Sequence, residues 1–410
     1  MNYLISISTD MNTPEIRFKG FTEEWKKNVI GNLTSSYSGG TPSVSNHEYY
    51  GGDIPFIRSG EVHQDKTELF ITEKGLSESS AKMVSKGQIL YALYGATSGE
   101  VDICKINGAI NQAILAIDSN DGIMNSFLCP LLQEKKSHII NTLIQGGQGN
   151  LSGTLVKGYN IAFPSITEQE KIASFFKSLD SMIDATAKKV ASLKQTKQGC
   201  LQSMFPQEGE TTPKVRFKGF TDEWVPTLIG DCGTWSKGRL LSKEDITPMG
   251  KNKCIHYGEL FTLYGEVINE VKSKTDFQQG CLSEIGDILF PDSDVTPTGL
   301  ARCSAILEEG VILGGGINIL KPQKYIHSPF LSYAINKEKE QIISLVTGTT
   351  VRHINSKALS KVRIMLTQDI KEQQVIADFF SNLNKQIEMQ EQKLEKLKQI
   401  KSACLNKMFI

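Results

Sequence analysis

The sequence predicts a mixed α/β protein built as a tandem pseudo-repeat, in which each copy is a globular domain followed by one long α-helix and the two helices pair as an antiparallel coiled coil. Three observations carry this. PEIRFKGFTEEW, from Pro14 to Trp25, returns as PKVRFKGFTDEW from Pro213 to Trp224, and its changes keep charge or size except Glu15 to Lys214. EQEKIASFFKSLDSMI from Glu168 matches EQQVIADFFSNLNKQI from Glu372, and LKQTKQGCLQSMF from Leu193 matches LKQIKSACLNKMF from Leu397 in the same register. Through both tails apolar residues recur in alternating steps of four and three, the spacing of a helix with one buried stripe.

In chain order, residues 1–13 have no counterpart in the second copy and form an N-terminal extension, with Met11 as an alternative start. Residues 14–165 are the first domain. Its short β-type runs DIPFI, QILYAL and AILAI are separated by Gly, Ser and Thr turns, and helical character follows near Ser126 to Ile144. Residues 166–206 are the first long helix, roughly 55 Å from Glu168 to Phe205 at 1.5 Å per residue. Residues 207–212, in QEGETTP, read as a linker. Residues 213–366 are the second domain, with DILF and VILGG as strands and a helix near Pro329 to Val346, and residues 367–410 the second helix. Between the anchors FIRSGEV parallels CIHYGEL, GQILY parallels GDILF and AIN parallels GIN, all in order. One fold carrying two different surfaces explains this economically.

The helix seam is Ile172, Phe176, Leu179, Ile183, Val190 and Leu193 in the first copy, and Ile376, Phe380, Leu383, Ile387, Leu394 and Leu397 in the second. An apolar seam of that length does not stay bare in water, and its nearest partner is the other copy. Antiparallel pairing about a pseudo-twofold makes the residue numbers in each layer sum to a constant. Ile172 then meets Met408, Val190 meets Gln390, and Lys197 and Lys401 snorkel past Leu383 and Leu179. Thr186 and Gln390, polar breaks at matching places, are candidates for setting register. Cys200 and Cys404 fit the seam as small hydrophobes.

Lysine plus arginine balance aspartate plus glutamate at 45 each, without the basic excess many DNA-binding domains carry, although a local basic face is independent of net charge. No run approaches the roughly 20 apolar residues of a membrane helix, so a cytoplasmic protein with no membrane association is expected. Cys104, Cys129, Cys200, Cys232, Cys254, Cys281, Cys303 and Cys404 form no C-x-x-C pair, and the histidines lack ligand spacing, so no metal is assigned. Neither a Walker A loop nor a methyltransferase's glycine loop with an Asn/Asp-Pro-Pro-aromatic motif occurs, and no catalytic residue or cofactor is assigned. PDSD at Pro291 lacks the spaced Glu-x-Lys of a nuclease. GGQG at Gly146 and GGG at Gly314 read as turns rather than phosphate cradles.

RFKGFTEEW opening each repeat, GGTPSVSN then GDIPFIRSGEV early in the first domain, and FPSITEQEKIASFF leading into a helix that ends LxxxKxxCLxxMF together resemble the DNA-specificity subunits of type I restriction-modification systems. The resemblance runs from about Pro14 to the C-terminus. It implies two target recognition domains, each reading one half of a split double-stranded DNA sequence, with the helices as ruler and as docking surface for two methyltransferase subunits. Two motor-nuclease subunits join the full complex, and the methyl donor and ATP belong to those partners. The second copy departs from the pattern in having TWSKGRLLSKE in place of the GGTPSVSN loop and QDIKEQQVI without a proline at the helix start.

Given that resemblance, base readers are sought among polar loop residues that differ between the copies. They are Arg58, Tyr94, Thr97, Ser98 and Gln112 in the first domain and His256, Asp294, Thr296, Thr298 and Arg302 in the second. The bland alternative for each is a structural or merely exposed side chain. Lys188, Lys189, Lys194 and Lys197 are a solvated helix face or phosphate contacts. A protein-only adaptor that recruits partner helices and a self-contained nuclease are the competing functions.

Overall fold

A computed structural model of the chain describes residues 5–7, 13–143 and 150–410. The chain divides into two compact units, Met1–Thr186 with Gln392–Ile410, and Ala187–Glu391. Each contains a globular domain, the beginning of the helix that follows it and the end of the other long helix. The fold is mixed α/β, with the two long helices packed together.

In the first unit two four-stranded sheets lie at the centre. One orders Phe70–Ile71, Tyr50–Ile57, Gly108–Ile110 and Lys82–Val84, and the other Thr34–Ser38, Ile114–Ser119, Ile89–Ala92 and Val101–Ile103. Ile89–Ala92 is buried along its whole length, which is why QILYAL reads as a continuous apolar run rather than an alternating one. Helix α1, Asn125–Leu143, covers the second sheet through Phe127, Leu128, Leu131 and Leu132. Helix α2, Ile166–Ser203, follows. Ile5–Ile7 pairs antiparallel with Ile16–Phe18, so part of the extension is a strand. In the second unit Arg216 and Phe217 belong to no strand. Met11, Ile144 and the GGQG cluster lie outside the described residues.

The second unit repeats the plan with a five-stranded sheet, Gly233–Lys237, Ile317–Pro322, Ile288–Pro291, Ser304–Ile306 and Val267–Ile268, and a four-stranded sheet around Asn252–Ile255 and Ile312–Leu313. Helix α3, Ser328–Lys337, ends at Glu338, and a short helix, Lys339–Ser344, carries on, so the helical character read near Pro329 to Val346 is divided between two helices. Helix α4, Ile370–Met408, closes the element order.

The matching motifs have matching jobs. Arg17 donates from Nε and Nη2 to the two carboxylate oxygens of Glu168 at 2.7 and 2.8 Å, and Arg216 does the same to Glu372 at 2.6 and 2.9 Å. Each Nη2 also bonds a carbonyl of its own motif, Glu23 O or Asp222 O. The next residue, Gln169 or Gln373, accepts from a backbone N–H (Met124 or His327) and donates to a carbonyl (Pro164 or Thr367). Thus RFKGF and EQ are the two halves of a lock that fixes where each long helix starts.

The helix pairing is antiparallel within each unit. Ile172 and Phe176, near the start of α2, share a core with Met408 and Phe409, while Leu193, near its end, clusters with Leu383 and Ile387. Ile172 with Met408 and Leu193 with Ile387 obey the constant-sum rule. Leu179, Val190, Ile376 and Phe380 are also buried, whereas Ile183, Leu394 and Leu397 are half-buried. The lysines depart from expectation: Lys197 bonds Glu266 and Lys401 bonds Asp180, at 2.7 and 2.6 Å, instead of reaching for water, because each finds a carboxylate beside the seam. Thr186 is buried but donates to Met182 O of its own helix, so it needs no partner across the seam.

The helix ends carry aromatic keystones. Phe409 stacks on Phe176 at 5.8 Å and meets Trp25 and Phe127. Phe205 stacks on Phe330 at 5.6 Å and meets Trp224 and Phe380. Cys200 and Cys404 pack beside these clusters as apolar groups, and burial raises the Cys404 thiol.

Candidate nucleic-acid interface

In each unit most of the polar candidates stand beside the ends of strands. In the first, Gly108–Ile110 runs parallel to Tyr50–Ile57 with Ile110 opposite Ile57, which brings Arg58 and Asn111 to one edge. The GGTPS loop crosses beside them; Gly39 is so close that a Cβ would lie 1.9 Å from Ile110 O, so only glycine fits. Thr41 beyond it donates to Gln112 Oε1 at 2.6 Å, and Tyr94 Oη donates to Gln112 O at 2.5 Å. Ser98 donates to Leu93 O, and Thr97 O accepts from Glu100 N, folding residues 94–99 back over the same edge.

Tyr94, Thr97, Ser98 and Gln112 thus share one surface with Thr41. Arg58 stands at the same edge but is engaged: its side chain bonds Glu61 twice and Glu68 once. Burial would raise Glu61, yet the Arg58 donors outweigh it and hold that carboxyl down at about 2. Reaching a base would cost Arg58 this pairing.

The second unit builds its edge differently. Ile255 lies opposite Leu313, and the backbone of Gly238 and Arg239 bonds Ile317 O and Leu313 O, so the GRLL loop occupies the place of GGTPS. His256 leans on the Tyr257 ring at 4.2 Å, and burial lowers its pKa, leaving it neutral near pH 7. Gly316 packs against Tyr257 and Asp292 where a Cβ would not fit. Asp292 takes an ion pair from Lys237 at 2.7 Å and a hydrogen bond from Ser293, whose hydroxyl also meets His353 Nδ1 at 2.9 Å. Ser293–Asp294 pairs antiparallel with Arg352–His353 in a separate two-stranded ribbon. Asp294 accepts from Thr296, and Thr296 accepts from Gly299 N and Thr298.

Asp294, Thr296 and Thr298 are therefore joined in one hydrogen-bonded polar loop, and His256 stands beside Tyr257. Arg302 does not join that loop. Its guanidinium turns inward to Phe261 O and Tyr264 O, and burial lowers its pKa, so its role in this fold is to tie backbone carbonyls together. Thr41, Lys237, Arg239, Ser293, Arg352 and His353 were not singled out from sequence. Lys237 and Arg239 sit in the very loop that departs from the family pattern, and that departure was the available signal.

Among the described residues no group of three His, Cys, Asp or Glu side chains is placed to hold a metal ion. Nor is any helix there long and apolar enough to cross a membrane.

The family model of the type I restriction modification DNA specificity domain matches the chain twice, at residues 22–195 and 221–399. The chain belongs to this family. It is 29% identical over 192 residues to the type I restriction enzyme MjaIX specificity subunit of Methanocaldococcus jannaschii, covering 45% of this chain and 44% of that protein. It is 28% identical over 175 residues to the HindI specificity subunit of Haemophilus influenzae, covering 39% and 37%. The chain thus spans less than half the length of these curated relatives in each match. The fold of the S subunit from M. genitalium superposes with a TM-score of 0.69 at 16% identity, over 97% of this chain and 99% of that one. At this identity the likeness is one of fold. It covers nearly the whole chain.

Proposed function

We propose that the chain is a non-catalytic specificity subunit that binds a bipartite, asymmetric double-stranded DNA target, one half-site per globular domain. It assembles two methyltransferase subunits around that target and, in the full complex, two motor-nuclease restriction subunits. In this reading residues 14–165 and 213–366 are the recognition domains, 166–206 and 367–410 the spacer helices and 207–212 the linker, and the protein works in the cytoplasm without a cofactor of its own.

The observation that supports it best is the contrast inside the duplication. The Arg–Glu locks are repeated nearly atom for atom, and the aromatic keystones recur at the same ring positions with a different stacking partner. The loops at the sheet edge are not: Gly40 and Thr41 give way to Arg239 and Leu240, and the Tyr94–Ser98 loop to Asp292–Thr298. A target with two unlike halves asks for one scaffold with two surfaces, since backbone contacts position a protein and base contacts specify. Net neutrality is no obstacle, because the exposed Arg239 places positive charge locally at the edge.

The test is to map methylated adenines in cells that hold the methyltransferase partner with and without this chain. A split motif that depends on the chain supports the proposal. Replacing residues 26–165 by the domain of another family member should then change one half-site alone; an unchanged motif sinks DNA reading in favour of an adaptor.

A further inference from the structure

Resting on the specificity reading above, we infer that the two-stranded ribbon Ser293–Asp294/Arg352–His353 is the base-reading element of the second domain, and that it reads a G·C pair through the major groove. The argument starts from shape. The major groove admits a two-stranded β-ribbon as readily as a helix. This ribbon belongs to neither main sheet of its unit and is held by its own pairing, Asp294 opposite Arg352 and Ser293 opposite His353, by Thr347 bridged to His353 across the turn, and by the Ser293 to His353 side-chain contact. Both flanking loops, Val295–Thr298 and Thr347–Val351, are mostly exposed.

Chemistry then selects the pair. In an antiparallel ladder directly opposed residues share a face. Ser293 and His353 use theirs on each other. Asp294 and Arg352 share the other face as acceptor and donor, and no ion pair joins them among the described residues. Arg352 spends Nη1 on Gly348 O and its Nε is enclosed by protein, while Nη2 takes no bond among the described residues. Nη2 of a guanidinium held in place fits guanine O6 or N7, and the Asp294 carboxylate beside it, which accepts from Val295 N and Thr296 Oγ1, keeps lone pairs for the N4 amino group of the paired cytosine. Val295 and Val351, 70% and 49% exposed, flank the ribbon and can cover a neighbouring thymine methyl.

The experiment uses the whole chain with its methyltransferase partner in cells, and single-molecule sequencing reads the methylation motif for the wild type, Arg352→Gln and Asp294→Asn. The wild-type motif is expected to hold a G·C pair in one half-site. Arg352→Gln should lower discrimination at that position by on the order of tenfold to a hundredfold, leaving the gap and the other half-site unchanged. Asp294→Asn, which keeps shape but gains a donor, should relax the same position. If Arg352→Gln fails to fold and the motif vanishes, Asp294→Asn decides. An unchanged motif in the folded variants, or a change in the other half-site, overturns the ribbon assignment while leaving the specificity reading standing. No chain-dependent motif in the wild type overturns both.

Discussion

Arg17 and Glu168 have exchanged water for each other at 6% and 1% exposure. Such a pair stabilises little relative to apolar groups but is costly to break, because the survivor is a buried unpaired charge. Glu168→Ala should cost about 3–5 kcal/mol in urea unfolding followed by tryptophan fluorescence, and the double change Arg17→Met, Glu168→Leu should recover part of it. A second residue-scale prediction concerns pH. A hydrogen bond to Asp102, against the opposing effect of burial, and a second to Glu100 raise His63 above 6.5; Lys105 and Lys136 face the same carboxylates. A histidine raised in the folded state contributes stability fully present below its unfolded value and lost as pH rises through the folded one. His63→Gln should therefore lower the urea midpoint at about pH 5.5 and have little effect at about pH 9; an equal loss at both would reject the linkage. At this scale the sequence was least legible. Arg302 lies eight residues beyond Asp294 and looked equivalent to it, yet only the fold shows that one side chain turns to carbonyls of another segment and the other to Val295 N and Thr296 of its own exposed loop.

Elements were legible in proportion to their period. The long helices repeat a buried stripe over many turns, so their existence, direction and seam could be read before any coordinate. Strands Ile89–Ala92 and Ile288–Pro291 were visible as apolar runs. The ribbon was not, since two strands of two residues each have no period and their partners lie almost sixty positions apart. The break at Glu338 was equally silent, because apolar residues continue on both sides of it. The seam itself makes a prediction. Leu193, Leu383 and Ile387 form one cluster, so Leu193→Ala and Leu383→Ala should each cost about 2–5 kcal/mol. Being neighbours, the two should combine with a coupling of about 0.5 kcal/mol or more in a double-mutant cycle. Strict additivity would mean that each leucine packs mainly against its own domain.

For the molecule as a whole, the proposed function makes helix length a measure of the gap in the target. Inserting one heptad in each helix lengthens the pair by about 10.5 Å, or roughly three base pairs. The methylation motif should then keep both half-sites and gain that spacing. A lost motif with intact folding would argue that partner docking governs helix length instead. The keystones have a consequence of another kind, in time. Phe409 completes a ring cluster with Trp25, Phe127 and Phe176, yet it leaves the ribosome long after them. Between Thr186 and Gln392 the whole second unit must be synthesised, a delay on the order of 10–40 s at usual translation rates. Throughout that interval the first domain lacks the ring that closes this cluster. Nascent chains arrested before Gln392 should accordingly be cut by protease within the first domain, and released full-length chains should not.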